Sequence, residues 1–282
     1  MTAPSTAPFL IIETGKPVGP MQRHGDFPHW IRVAAGMSRD AAVVVDVQGG
    51  EPLPVREGFA GVIVTGSGAM VTERLDWSEA TAAWLREAAH AGLPVFGICY
   101  GHQLLAHALG GEVGNNPAGR EMGTVQVELL PAASDDALLA PLPARFDAQL
   151  THMQSVLRVP DGAVVLARSA GDPLFAAAPD PFLAQSTHLQ AVLRLPDGAV
   201  ALATSERDRN HAFRWGESAW GVQFHPEFSA THMRGYIQAR KVPLQREGLD
   251  PAAMLSAVGA APEARRVLRR FVHHARGLAP SA

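Results

Sequence analysis

Cysteine is nearly absent from this chain: its 282 residues contain one, Cys99. A single thiol excludes an intrachain disulfide and agrees with a reducing compartment. Positive charge is also scarce. Lys and Arg number 24 against 27 Asp and Glu, and the net charge is −3. No basic cluster has the density that nucleic acid binding requires. No stretch approaches the ~20 apolar residues of a membrane span. The opening segment, Met1 to Glu13, lacks a basic n-region, and its apolar run is too short for a signal peptide. There is no Gly-x-x-x-x-Gly-Lys-Ser/Thr loop to cradle a phosphate. These absences predict a soluble, cytoplasmic protein with no nucleic acid or membrane partner, no cofactor and no metal.

What is present is an ordinary globular composition, 47% apolar and 18% charged, enough for a sizeable core. Residues 1–8 read as a mobile Pro/Ser/Thr/Ala tail. Phe9-Leu-Ile-Ile, Ala42-Val-Val-Val-Asp-Val, Gly61-Val-Ile-Val-Thr and Leu93-Pro-Val-Phe are short apolar runs separated by helical patterns. The strongest helical pattern runs from Asp76 to His90, with Gly92 as its C-terminal stop. Continuous rather than alternating apolar strands indicate a parallel sheet covered on both faces. After Gly123 the pattern alternates, so Thr124-Val-Gln-Val-Glu-Leu reads as an antiparallel or edge strand. Residues 232–282 read as helices broken near Pro243 and Pro262. The expected fold is α/β, a flavodoxin-like three-layer sandwich with a mostly parallel central sheet, a small antiparallel extension and C-terminal helices.

Residues 136–171 and 172–207 form a tandem repeat. Phe146-Asp-Ala-Gln-Leu-Thr-His-Met-Gln in the first copy answers Phe182-Leu-Ala-Gln-Ser-Thr-His-Leu-Gln in the second, and both continue to Pro-Asp-Gly-Ala-Val. Pro-Asp-Gly between apolar runs is a turn signal, so each unit reads as strand-turn-strand. Two copies are too few for a solenoid.

The chemistry-bearing residues are the lone cysteine and a downstream His/Glu pair. Gly97-Ile-Cys99-Tyr-Gly-His-Gln103 lies between an apolar strand and a helix. Small residues two places either side let the thiol stand clear of a tight turn, as in a nucleophile elbow. The helix N-terminus favours its thiolate. A thiolate nucleophile needs a base, and the base needs an orienting group. Trp220-Gly-Val-Gln-Phe-His225-Pro-Glu227 places both at or beyond the end of a strand, two residues apart and on one side. Thr65-Gly66-Ser67-Gly68 follows another strand, and its amides, with that of Tyr100, could face a developing oxyanion. His24-Gly-Asp26 reads as a loop or cap and His273-His274 as a solvated helix face. Ala264-Arg-Arg-Val-Leu-Arg-Arg-Phe reads as an amphipathic helix with its apolar side on the core and its arginines in water.

Gly97-Ile-Cys99-Tyr-Gly-His-Gln103 and Phe224-His225-Pro226-Glu227, in this order, resemble the class I (triad-type) glutamine amidotransferases, especially stand-alone domains similar to the amidotransferase half of GMP synthetase. The resemblance covers residues 9–235, leaving 236–282 as a helical segment packing on that domain. It implies that Cys99 attacks the glutamine side-chain amide, forming a γ-glutamyl thioester and releasing ammonia, with His225 and Glu227 completing the triad. It implies an oxyanion hole at the Ser67 and Tyr100 amides and substrate contacts from Gly66, Gly68 and Gln103. Gly68 stands where the family often has Pro, which leaves this loop less rigid. The family's substrate-facing x-His-x-x segment occurs twice here, as Thr151-His152-Met153-Gln154 and Thr187-His188-Leu189-Gln190. The first copy is read as the one beside the elbow. The acceptor of the ammonia would be a separate synthetase subunit. Two other readings stay open: a γ-glutamyl peptidase or hydrolase with the same nucleophile, and a catalytically silent binding module on the same fold.

Overall fold

The computed structural model describes residues 5–116, 119–169 and 210–277. The second repeat copy, with Thr187–Gln190, lies outside the described residues. Eleven strands and seven α-helices follow one another in the order expected of an α/β chain. β1 (Phe9–Glu13), β2 (Ala42–Asp46), β3 (Gly61–Val64) and β4 (Val95–Ile98) alternate with α1 (Phe27–Ala35), α2 (Asp76–His90) and α3 (Tyr100–Ala108). β5 (Glu112–Asn115), β6 (Glu121–Leu129), β7 (Arg145–His152), β8 (Gln154–Arg158), β9 (Ala163–Ser169), β10 (Ala212–Trp215) and β11 (Ala219–Val222) follow. The chain ends in α4 (Ala230–Ala239), α5 (Lys241–Arg246), α6 (Pro251–Ala257) and α7 (Pro262–Ala275).

Nine strands form one sheet in the order β2-β1-β3-β4-β11-β10-β9-β6-β7. The five from β2 to β11 are parallel, and the pairings from β11 onward are antiparallel. The antiparallel extension therefore continues the main sheet. The reason is visible in the strands. β1, β3, β4 and β11 are buried along their whole length, as strands covered on both faces must be. β6 mixes buried and half-buried positions. It is an interior strand rather than an edge, flanked by β7 and β9.

The Pro160-Asp-Gly turn joins strands of different sheets. β8 pairs with β5 in a separate two-stranded sheet, whereas β9 pairs with β6 and β10. The strand-turn-strand reading of the repeat unit is thus right locally, but the unit is not a hairpin.

Helix boundaries follow local signals. Asp26 caps α1 by accepting from the His29 amide at 2.7 Å, which is the cap role read for His24-Gly-Asp26. α2 ends at His90, and Gly92 follows with a left-handed φ of 76°. Pro243 sits within the first turn of α5, where its missing N–H costs nothing, so the break falls before it, at Arg240. Pro262 opens α7. α4 crosses the expected boundary at residue 235.

α7 buries Ala264, Val267, Leu268, Phe271 and Val272 in the main core, where Phe271 meets Phe9, Phe96 and Trp220. Burying a side chain such as Phe271 contributes about 1.5–3 kcal/mol. One arginine departs from the expected solvated face. Arg270 is buried and donates to the Leu138 and Ala137 carbonyls at 2.8 and 2.7 Å. The N-terminal segment is also tied in: the Ser5 amide donates to the Arg276 carbonyl, and the Pro8 carbonyl accepts from Ala60.

Candidate active site

Cys99 stands between the C-terminal end of β4 and the first residue of α3, with φ 52° and ψ −102°. Only two described non-glycine residues have positive φ, Cys99 and Arg74. Such a conformation costs of order 1–3 kcal/mol and is held only where the surroundings impose it. The two flanking glycines impose it here. A Cβ on Gly97 would strike the Gly101 carbonyl and come within 2.7 Å of the His102 amide. A Cβ on Gly101 would sit 2.5 Å from the Val64 carbonyl oxygen. Strand and helix can approach closely enough to form the elbow only without those atoms.

β11 runs parallel beside β4, and the Cys99 amide donates to the Val222 carbonyl at 2.9 Å. The chain then leaves the sheet, which carries His225 and Glu227 to the elbow. The strand ends at Val222, so both residues lie beyond its end. The His225 amide donates to the Gln149 carbonyl of β7 at 2.8 Å, fixing this exit. His225 Nδ1 lies 2.8 Å from Glu227 Oε1, and both side chains are buried. His225 Nε2 is buried with no hydrogen-bond partner among the described residues. Burial disfavours a charged His225, but the Glu227 carboxylate and the adjacent Cys99 thiol outweigh it and push its pKa up to about 10. The protonated form of His225 is thereby favoured.

The Gly66–Gly68 loop closes the other side. A Cβ on Gly66 would meet His225 Cε1 at 3.0 Å and Cys99 Cβ at 3.9 Å, so this glycine lies against both. Thr14 Oγ1 donates to the carbonyls of Thr65 and Gly66 at 2.9 and 3.2 Å, buttressing the loop from the end of β1. Ser67 Oγ turns back to accept from the Ala69 amide. Tyr100 opens α3, its hydroxyl 2.6 Å from Ser78 Oγ, and burial pushes its pKa up to about 12.

The first repeat copy runs alongside the elbow: the Thr151 carbonyl lies 3.9 Å from Cys99 Sγ. Gln103 donates to the Gln154 carbonyl at 2.5 Å and to Gln223 Oε1 at 2.9 Å. Its amide protons are thus used to hold α3 against β8 and the segment before His225. Gln154 reaches the Val71 amide and Thr72. Met153 is touched by Arg120, which also forms a two-point ion pair with Glu247 at 2.7 and 2.9 Å. His102 points inward from α3. Burial and the nearby His211 hold its pKa down at about 3, so it stays neutral.

Several contributors to the site carry little or no sequence signal. Phe228 stacks on the His225 ring at 4.2 Å, and Phe27 of α1 lies parallel to the same ring at 6.4 Å. Phe228 directly follows the His-Pro-Glu segment and could have been suspected. Phe27, Thr14 and Gln149 could not, since only the tertiary fold brings them in.

The class-I glutamine amidotransferase family matches residues 42–242, well over half of the chain. This protein belongs to that family. It is 46% identical over 123 residues to the glutamine-hydrolyzing GMP synthase of Aeropyrum pernix, a match covering 43% of this chain and 22% of that protein. It is 32% identical over 150 residues to a protein of Methanopyrus kandleri named as one subunit of a glutamine-hydrolyzing GMP synthase, covering 53% of this chain and 74% of the relative. The aligned part of this class-I amidotransferase thus spans only about a fifth of the length of full GMP synthases such as the Aeropyrum protein. A glutamine amidotransferase from Thermotoga maritima superposes with TM-score 0.64 at 21% identity, covering 96% of this chain and 98% of that one. One from Methylobacillus flagellatus gives 0.65 at 23% identity, covering 99% and 98%. These two likenesses establish the shared fold. Among the described residues, no helix is long and apolar enough to cross a membrane.

Proposed function

We propose that this family member hydrolyses the side-chain amide of glutamine through a thioester on Cys99 and passes the ammonia to a separate acceptor subunit. The observation that carries this reading is the buried His225–Glu227 pair at 2.8 Å, with His225 Nε2 unpartnered among the described residues beside a strained cysteine elbow. The attacking species is the Cys99 thiolate, with its charge balanced by a protonated His225. Cys99 Sγ adds to the amide carbon, and the charge gathering on its oxygen is met by the Ser67 and Tyr100 amides. His225 gives its Nε2 proton to the amide nitrogen as the C–N bond breaks, and ammonia leaves. Water then adds to the thioester carbon and returns a proton to His225. The C–S bond breaks, releasing glutamate and restoring the thiolate and imidazolium. Gly66, Gly68 and the segment from Thr151 to Gln154 line the path of the substrate, and Gln103 braces that segment from below.

Support for a separate acceptor comes from the Methanopyrus relative, whose name makes it one part of a larger assembly. The test is glutamate release from glutamine and from a γ-glutamyl dipeptide, with wild type and Cys99→Ala. Release from glutamine that requires Cys99 is the expected result. Turnover of the dipeptide alone would make the protein a γ-glutamyl peptidase. No turnover of either, from folded protein with an unmodified thiol, would leave a silent binding module.

A further inference from the structure

Behind the elbow lies a second buried cluster, which shares His152 with the substrate-facing segment but whose side chains take no part in the proposed bond-making steps. Glu121 opens β6 and His152 closes β7, and the two are paired directly across the ladder. His211 immediately precedes β10. His152 Nε2 lies 3.2 Å and His211 Nε2 lies 3.3 Å from the same oxygen, Glu121 Oε2. All three donor atoms fall within 4.8 Å of one another, and all three residues are buried.

His152 Nδ1 faces the Gln154 carbonyl at 2.9 Å, which turns Nε2 toward Glu121. The separations of 3.2 and 3.3 Å at Glu121 Oε2 fit the spacing of donor atoms around a single ion. Metal–ligand bonds of ~2.0–2.1 Å arranged tetrahedrally place neighbouring donor atoms ~3.3 Å apart. The orienting bond from Nδ1 to a backbone carbonyl is also the partner that metal-binding histidines use.

We propose that Glu121, His152 and His211 form a binding site for a divalent transition metal of the zinc class. The ion would tie β6, β7 and the approach to β10 together one residue away from Thr151, whose carbonyl faces Cys99. It would act on the shape of the substrate-facing segment and take no part in the bond-making steps. The proposal stands independently of the reaction assigned to Cys99.

The test uses the full chain with Cys99→Ser, which removes the thiol as a competing ligand. Protein stripped with chelator is titrated with Zn²⁺ by calorimetry and with Co²⁺ by visible absorption. One equivalent should bind, with the ligand-field bands of a low-coordinate Co²⁺ site. His211→Gln, checked for folding by circular dichroism, should weaken binding at least ~100-fold, and His211→Asp, which restores a ligand, should recover part of it. Zinc-edge X-ray absorption of the Cys99→Ser protein should show two imidazoles, a readout that does not depend on the His211 variants folding. Failure to bind one equivalent, unchanged affinity in folded His211→Gln, or an edge spectrum without two imidazoles would overturn the proposal.

Discussion

Removing the charge of Glu227 while keeping its shape, as Glu227→Gln, tests the core of the proposed chemistry. In the wild type the carboxylate lies 2.8 Å from His225 Nδ1 in a buried setting, and the imidazole pKa stands at about 10. A hydrogen bond to a charged group contributes about 1.5–3 kcal/mol. One pKa unit corresponds to about 1.4 kcal/mol, so the loss should lower the His225 pKa by about 1–2 units. The leaving nitrogen needs the His225 proton, so kcat/KM for glutamine should fall as pH rises through that pKa. The alkaline limb should therefore move from about 10 in the wild type to about 8–9 in the variant. At pH 7.5 the variant imidazole is still mostly protonated, so rate lost there measures orientation. A glutamine amide orients the imidazolium less firmly than a carboxylate, and once the ring has given its proton to the leaving nitrogen the amide can donate to Nδ1 and hold the wrong tautomer for deacylation, so a loss of ~10²–10⁴-fold is expected. The assay is glutamate release across pH 6–11, and kcat/KM reports the free enzyme. An alkaline limb that stays at the wild-type position in Glu227→Gln would refute the assignment of Glu227 as the group that keeps His225 charged.

Further outcomes follow from other parts of the structure. Gly97→Ala should lower stability by about 3 kcal/mol or more, because the added methyl meets backbone atoms that cannot swing away. Gly68→Ala has open space around it and should melt like the wild type, and equal midpoints for the two variants would contradict the elbow packing. Arg270→Ala should cost about 1–3 kcal/mol in urea unfolding, since it strands the buried Leu138 and Ala137 carbonyls; a loss under about 0.5 kcal/mol would place those carbonyls in contact with water. Phe228→Leu should keep the fold but lower kcat, with KM little changed, because the His225 ring loses its stacking partner at 4.2 Å. A rise in KM alone would put Phe228 in substrate binding instead.

Much of this molecule was readable from local pattern. The helix from Asp76 to His90 and the parallel strands have boundaries set by neighbours in the chain, and the fold class follows from their alternation. The elbow was readable because its requirements are local too: Gly97, Cys99 and Gly101 must be small, reactive and small at fixed spacing. The spacing of two between His225 and Glu227 was readable too, although β11 ends at Val222 and the turn after it, rather than a shared strand face, brings their side chains together. The pairing partners of a strand are not local. Nothing in Thr124–Leu129 says whether the alternating pattern ends at solvent or at β9, and nothing in Pro160-Asp-Gly says that its two flanking strands join different sheets. Arg270 looked like one more solvated arginine until Ala137 and Leu138, more than 130 positions away, supplied their carbonyls.

The sequence by itself determined which groups are candidates for the proposed chemistry, because a lone thiol between small residues and a His/Glu pair two apart are chemical identities in local patterns. Only the tertiary structure decided the state in which they meet. The His225 pKa is raised because β4 and β11 lie side by side and the chain leaving β11 buries the Glu227 carboxylate against the imidazole beside Cys99. The Glu121–His152–His211 cluster exists because the β6–β7 ladder sets His152, 31 positions away, opposite Glu121, and the approach to β10 brings His211, 90 positions away, to the same oxygen. A pKa and a donor cage are properties of distance and dielectric, and the chain acquires both only on closing its sheet.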